Sequence, residues 1–314
     1  MIAFLIVRLV RAVLTLLLIV TFAFVVLRAS GDPALAILSV DAPAEAIEAF
    51  RRDWGLNQPV WIQYLRYVEA VLRGDLGRSM LDGRPAVEVV FERVPATLMV
   101  TLPAFLMKFC IGLPLGILAA LRRGTAGDRI TMAGAMIGHA TPAFVLALVL
   151  VLVFSVELGW LPSAGGGSWR HAVLPVVTLG LAGAAAVARF SRSAMVEVLG
   201  QPYIRTAAAK GLRRPLVVRG HALPNAAIPT VTLAGFLLGG LVAGAVVVET
   251  VFAWPGVGRL MVQAVANRDL AVVQTILLLV GATMVTANLV VDLLYGWLDP
   301  RIRHGRSDAG RGVV

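Results

Sequence analysis

Residues able to do chemistry are few in this chain, and their spacing does not suit catalysis. It has only two lysines, Lys108 after Met107 and Lys210 after Ala209. No G-K-[ST] stretch therefore exists to cradle a nucleotide phosphate, and ATP binding in the usual way is not expected. No G-x-S-x-G or H-E-x-x-H motif appears. His139, His171, His221 and His304 are scattered rather than set at metal-ligand spacing. The single Cys110 leaves no intrachain disulfide and no Cys-rich metal site. No catalytic or metal-ligating residue is assigned. What remains is a set of isolated polar groups in apolar stretches. A charge in a bilayer core costs about 2.5–3.5 kcal/mol on the insertion scale, so it needs a reason to be there. Lys108, His139 and Glu249 are the possible pathway or gate residues. Their competing roles are structural: a snorkelling or bundle-internal lysine, a satisfied interhelical histidine, and a hydrogen-bonding glutamate. Asn288 and Asp292, four apart on one helical face, are expected to tie helices together.

The elements that hold these groups are membrane spans. The chain of 314 residues is 59% hydrophobic and only 15% charged, with a mean hydropathy of +0.85. Soluble domains carry roughly 25% charged residues, so this composition cannot make a polar surface. Six segments have the roughly 20 apolar residues a spanning helix needs: 9–27, 97–121, 131–156, 172–189, 228–251 and 272–298. The first, preceded by Arg8, resembles a signal peptide, but its length and the lack of an A-x-A site favour a retained helix. Pro103, Pro114 and Pro142 predict kinks in the second and third spans. Glycines at 180, 183, 239, 240 and 244 allow close helix approach, and some are expected to face a partner subunit.

Arg and Lys set the orientation. With the N-terminus inside, the inner side receives Arg8, Arg11, Arg122, Arg123 and Arg129. It also receives the basic residues between spans four and five, and Arg301, Arg303, Arg306 and Arg311. Residues 28–96 carry ten acidic and eight basic side chains, as an outer loop does. Both termini are thus expected in the cytoplasm. The net charge of +10 is a topology and lipid signal, not a nucleic-acid one.

Two loops have further pattern. In the outer one, Asp41-x-Pro43 and Asn57-x-Pro59 open two short helices, the second with Trp61, Leu65, Val68 and Leu72 at helical spacing and Gly74 at its end. They predict a packed cap at the membrane interface. In the inner loop, 190–227, Tyr203-Ile204-Arg205-Thr206-Ala207-Ala208-Ala209-Lys210 reads as a short helix that Gly211 stops in a left-handed cap. Leu223-Pro224 restarts structure at the next span. Small residues in a row suit such a helix to lie in a partner's groove.

This small-residue run, its glycine and the Leu-Pro twelve residues beyond resemble the cytoplasmic "EAA" loop of bacterial ABC-importer permeases. Other words agree with the dipeptide/oligopeptide/nickel family, specifically its first membrane subunit. They are Gly31-Asp32-Pro33, Gly55-Leu56-Asn57-Gln58-Pro59, Gly74-Asp75-Leu76-Gly77 and Pro95-Ala96-Thr97-Leu98. Glu249-Thr250-Val251-Phe252 running into Trp254-Pro255-Gly256, then Arg268-Asp269 and Leu298-Asp299-Pro300-Arg301-Ile302, complete the set. Arg205-Thr206-Ala207 stands where the general motif has Glu-Ala-Ala, and Ala140-Thr141-Pro142 where Ser-x-Pro is frequent.

The resemblance implies an all-α membrane protein with a type I ABC importer permease fold of about six spans. Its parts would be a first helix (1–28), a periplasmic segment (29–96), a core permease domain (97–300) and a disordered cytoplasmic tail (301–314). It implies ATPase coupling through Arg205, Thr206, Ala207, Ala208, Lys210, Gly211, His221, Leu223 and Pro224. The implied partners are a second homologous permease, two cytoplasmic ATPase subunits that hold the ATP and Mg, a periplasmic or surface-anchored binding protein, and membrane lipid. This chain would bind no cofactor and no nucleic acid. Its role would be half of an alternating-access pathway in the bacterial inner membrane for di- or oligopeptides, or alternatively for nickel or another small solute. A secondary carrier would instead need paired intramembrane carboxylates and inverted repeats, which the sequence lacks.

Overall fold

The computed structural model describes residues 2–29, 31–38, 42–243 and 245–298. The expectations for Asp41, Gly244, the tail from 301, the Asp299–Ile302 word and the Asp292 side chain lie outside the described residues. Among the described residues the chain is helical, with one isolated bridge between Arg78 and Pro85 and no strand. In order the helices are α1 (Ile2–Ala29), α2 (Pro33–Leu38), α3 (Ala44–Asp53), α4 (Val60–Leu72), α5 (Ala86–Phe91), α6 (Val94–Leu121), α7 (Ala126–Ala140) and α8 (Ala143–Val151). They continue as α9 (Trp169–Leu199), α10 (Pro202–Ala209), α11 (Arg214–Val217), α12 (Leu223–Gly239), α13 (Val246–Val251), α14 (Val257–Ala266) and α15 (Leu270–Leu298).

Among the described residues, five helical stretches are long and apolar enough to cross a membrane, or six if one bent pair counts as a single span. The predicted third span, kinked at Pro142, is that pair. α7 and α8 meet at 95°. Pro142 has no N–H, and it pushes Thr141 to an extended backbone with ψ 117°, so α7 stops there and α8 begins anew. The predicted fifth span also differs: α12 ends at Gly239, and 246–251 is the separate α13. Pro103, Pro114, Pro175 and Pro229 sit inside long helices without ending them.

The chain forms two compact units. The first is Met1–Met99, Ala164–Ser168 and Val242–Thr283. Its core joins Ala86 and Val90 of α5, Val257 and Ala264 of α14, and Leu270, Val273 and Ile276 of α15. α4 packs on α1 through aromatic rings: Tyr67 stacks on Phe24 at 5.9 Å, and Tyr64 meets the same ring edge-on at 5.3 Å. The tyrosine face of α4 packs inward, and Trp61, Leu65 and Leu72 are exposed. That apolar stripe suits the lipid boundary, where Trp is favoured.

The second unit is Val100–Ser163, Trp169–Leu241 and Met284–Val314. α9 is its centre, packed by α7, α8 and α12. Close approach is built from glycine. A Cβ on Gly112 of α6 would lie 2.5 Å from the Ala184 carbonyl oxygen, and one on Gly116 would strike the Ala188 backbone. Gly235 and Gly239 of α12 take up Val291 and Ala287 of α15 in the same way. Three of the glycines named from the sequence are used within this chain: Gly180 is filled by Met107, Gly183 by Lys108, and Gly239 by Ala287, whereas Gly240 meets only its own helix end.

Candidate functional site

The inner loop takes shape from its ends. α9 does not stop near Arg189 but runs ten residues further, to Leu199. Pro202 then occupies the first turn of α10, where a missing N–H is harmless. Ile204 and Ala207, three apart, face inward and join a core with Ala120, Met195, Val217, Ala222 and Ala226. Arg205, Thr206, Ala208 and Lys210 face solvent, as does Tyr203. Ala207 is therefore an anchoring residue, not part of the exposed docking surface expected for it. Gly211 ends the helix at φ +81°, with Gly211 N donating to Ala208 O at 3.0 Å and Leu212 N to Ala207 O at 3.4 Å. This paired pattern is a Schellman cap, and a side chain at C′ would strain it.

Leu223-Pro224 does not restart structure. A continuous helix already runs from Arg214 to Gly239, and Val218–Ala222 is wound as a π turn. Pro224 cannot donate to the carbonyl four residues back, and its ring would clash with it. The wider turn accommodates both defects. His221 and Pro224 are exposed on this stretch, and Leu223 is half-buried. Arg214 donates to the Leu121 carbonyl at 2.9 Å and so caps the end of α6.

An ion pair not singled out from the sequence steadies the neighbouring turn. Arg192 of α9 grips Asp128 with two bonds of 2.6 and 2.7 Å, and Asp128 also accepts from Gly124 N at 2.9 Å. The signal that could have found the pair is Thr125-x-x-Asp128, a helix start that buries its own carboxylate.

The three polar candidates inside apolar stretches are placed differently. Lys108 is half-buried, with its stem laid over Gly183, and its ammonium has no hydrogen-bond or ion partner among the described residues. His139 is exposed in the last turn of α7, beside the bend. Glu249 is wholly buried. Its carboxylate accepts from Thr97 Oγ1 at 2.7 Å and from Arg259 N at 3.0 Å, at the start of α14. Thr97 Oγ1 in turn accepts from Val257 N at 2.8 Å, and Trp254 Nε1 donates to the Ala96 carbonyl at 2.8 Å. Glu249 thus satisfies first-turn N–H groups of a helix, where negative charge is favoured. A gate lining needs a carboxylate that solvent or cargo can reach, so the gate expectation for Glu249 gives way to its structural alternative.

The separated words of the sequence meet in the first unit. Asp269 accepts from Ser79 Oγ at 2.5 Å and from Met80 N at 3.3 Å. Arg268 donates to the Asp32 carbonyl at 3.1 Å, and its guanidinium lies against Gly31. Asp32 holds Arg51 through bonds of 2.9 and 2.6 Å.

Helices of spanning length and a short helix anchored on one face and bare on the other describe a multi-pass membrane protein. Comparison with known proteins makes this specific. Residues 112–304 match the binding-protein-dependent transport system inner membrane component family, and residues 1–101 match the N-terminal region of such membrane components. The chain belongs to this family and is an ABC-importer inner-membrane permease of the peptide/oligopeptide type. It is 45% identical over 274 residues to the glutathione transport system permease protein GsiC of Escherichia coli O6:H1, covering 87% of this chain and 90% of that one. The protein of the same name in Salmonella paratyphi A is 43% identical over 298 residues, covering 95% and 97%. Among solved structures, the inward-facing MetNI methionine ABC transporter matches with a TM-score of 0.56 at 24% identity, covering 68% of this chain and 98% of that one. An amino acid ABC transporter solved with histidines matches with a TM-score of 0.52 at 18% identity, covering 66% and 93%. These two likenesses speak to the fold alone. The protein is a multi-pass component of the bacterial inner membrane, a transport subunit rather than an enzyme.

Proposed function

We propose that this permease forms half of a pathway for short peptides and moves by alternating access under the control of ATPase subunits. The observation that carries the coupling reading is α10. Ile204 and Ala207 fix it to the chain's own core, while Tyr203, Arg205, Thr206, Ala208 and Lys210 are left bare for a partner. A force applied to that exposed face passes directly to α9, α11 and α12 through the shared core. Gly211, His221 and Pro224 shape or border the same surface. Lys108 and His139 are the side chains proposed to meet the pathway or the second permease.

Peptide cargo follows from the relatives, which are named for glutathione, itself a tripeptide. The chain has no phosphate-binding loop, so ATP hydrolysis belongs to two cytoplasmic partners. A second permease completes the path, and a binding protein outside the membrane delivers cargo. Residues 29–96 lie on that outer side in this reading, and both termini lie inside.

The test is ATP-driven peptide uptake in proteoliposomes with subunits added stepwise. Uptake should need this chain, a second permease, the ATPases and the binding protein together. Uptake by this chain and the ATPases alone would mean a homodimeric pore and would overturn the heterodimer assignment.

A further inference from the structure

α4 presents three separate faces. At about 100° per residue, Tyr64 and Tyr67 share one side of the helix, and both pack on Phe24 of α1. Tyr64 also shares a hydrogen bond of 2.7 Å with Thr21 of α1. Turned from that side by about 110°, Trp61, Leu65 and Leu72 fall within about 40° of one another. All three are exposed, Leu72 to 82%. About 90° further round come Arg66, Glu69 and Arg73, which are exposed too. Arg73 donates to Glu69 at 2.5 Å, so these charges bond along the helix and leave the apolar stripe clear. A covered side is thus followed by an apolar side and then by a charged one.

Two bare faces of opposite character, side by side, suit the surface of a bilayer, which is apolar below and wet above. The contact with α1 sets the level. Phe24 lies five residues before the end of α1 at Ala29, or about 7 Å inside it. At the same level α1 exposes Phe22, Val25 and Val26, an apolar flank that a spanning helix turns to lipid. From Trp61 to Leu72 the stripe on α4 runs about 16 Å along the helix axis. Held at one level by α1, it stays at the lipid boundary over its whole length only if the helix lies flat. Trp61, at one end, is a side chain favoured at that boundary. A protein partner fits less well. The stripe is one side chain wide and edged by charge, and three side chains do not supply the roughly 800 Å² that each side of a stable protein interface buries.

We propose that α4 is a flat, membrane-embedded helix, with its Trp61, Leu65 and Leu72 side inserted among the acyl chains of the leaflet from which α1 emerges. The partner is phospholipid, and Arg66 and Arg73 lie at the level of its headgroups. The inference needs α1 to span the membrane and takes nothing from the coupling scheme or the cargo.

The experiment uses the complete transporter in proteoliposomes. In a Cys110→Ser background, a spin label is placed singly by Leu65→Cys, Leu72→Cys, Glu69→Cys or Arg73→Cys. All four positions are exposed, so labelling leaves the packing of α4 on α1 intact. Power saturation compares collisions with oxygen, which dissolves in lipid, and with a nickel chelate, which stays in water. At positions 65 and 72 oxygen should lead by tenfold or more, and at positions 69 and 73 the chelate should lead. The depths of 65 and 72 should agree to within about 5 Å, one helical turn. Chelate access at 65 and 72 equal to that at 69 would show water there and overturn the proposal. Shielding of both positions from oxygen and chelate alike would show a protein cover and overturn it too. Depths about 10 Å apart, the rise over seven residues, would stand the helix upright and do the same.

Discussion

Glu249 and Lys108 are both ionisable groups in apolar stretches, and they call for opposite experiments. Glu249 meets several donors at the start of α14, so its removal should act on stability. Glu249→Ala strands the Thr97 hydroxyl and first-turn N–H groups, at about 1–3 kcal/mol for each buried group left unmet. The purified complex should melt several degrees lower, and uptake per folded transporter should stay close to normal. A gate residue would give the reverse: normal melting with altered uptake. Lys108 has its stem on Gly183 and no partner for its charge among the described residues. Lys108→Met keeps the length and deletes the ammonium. Melting should be unchanged within a degree or two, while ATP-driven uptake falls several-fold if Lys108 lines the pathway. Unchanged uptake would return Lys108 to a packing role.

At the scale of the element, the short helix α10 depends on how it ends. Gly211 holds φ +81° in a Schellman cap. A residue with a Cβ there is strained by about 1–2 kcal/mol, and an aspartate also adds charge beside an exposed helix end that disfavours it. Gly211→Asp should still insert and fold, but ATPase subunits should dissociate or turn over without uptake. Normal uptake would remove α10 from the coupling role. This cap was legible in the sequence because a run of good helix formers followed by glycine has few other outcomes. The π turn at Val218–Ala222 was not legible. Leu223-Pro224 looks like a helix start, and only the packing of Val217, Ala222 and Ala226 on Ile204 and Ala207 reveals that the helix was already running. Likewise Pro142 announced a kink, but not that α7 and α8 would part by 95°. Polar clusters such as Asp128 with Arg192 depend on residues 64 apart, and no local period encodes them.

At the scale of the whole chain, the distribution of arginine makes a claim about sidedness that can be measured directly. Cysteines introduced as Asp41→Cys and Ser307→Cys in a Cys110→Ser background should react with a membrane-impermeant maleimide from opposite sides. The first should label in intact cells and the second only after the inner face is opened. The reverse pattern would invert the topology and take the Arg205–Lys210 surface away from the ATPases.

The bond between Ser79 and Asp269 joins residues 190 apart in the chain. Ribosomes add about 5–20 residues per second, so the N-terminal segment waits roughly ten to forty seconds for its distant carboxylate to be made. Throughout that interval Ser79 and the Met80 N–H lack their buried acceptor, and Gly31 and Asp32 lack Arg268. A nascent chain cut short anywhere before Arg268 keeps that deficit permanently. A chain truncated before Arg268 should therefore be cut by added protease within its first hundred residues faster than the full-length permease, which limited proteolysis of the two checks.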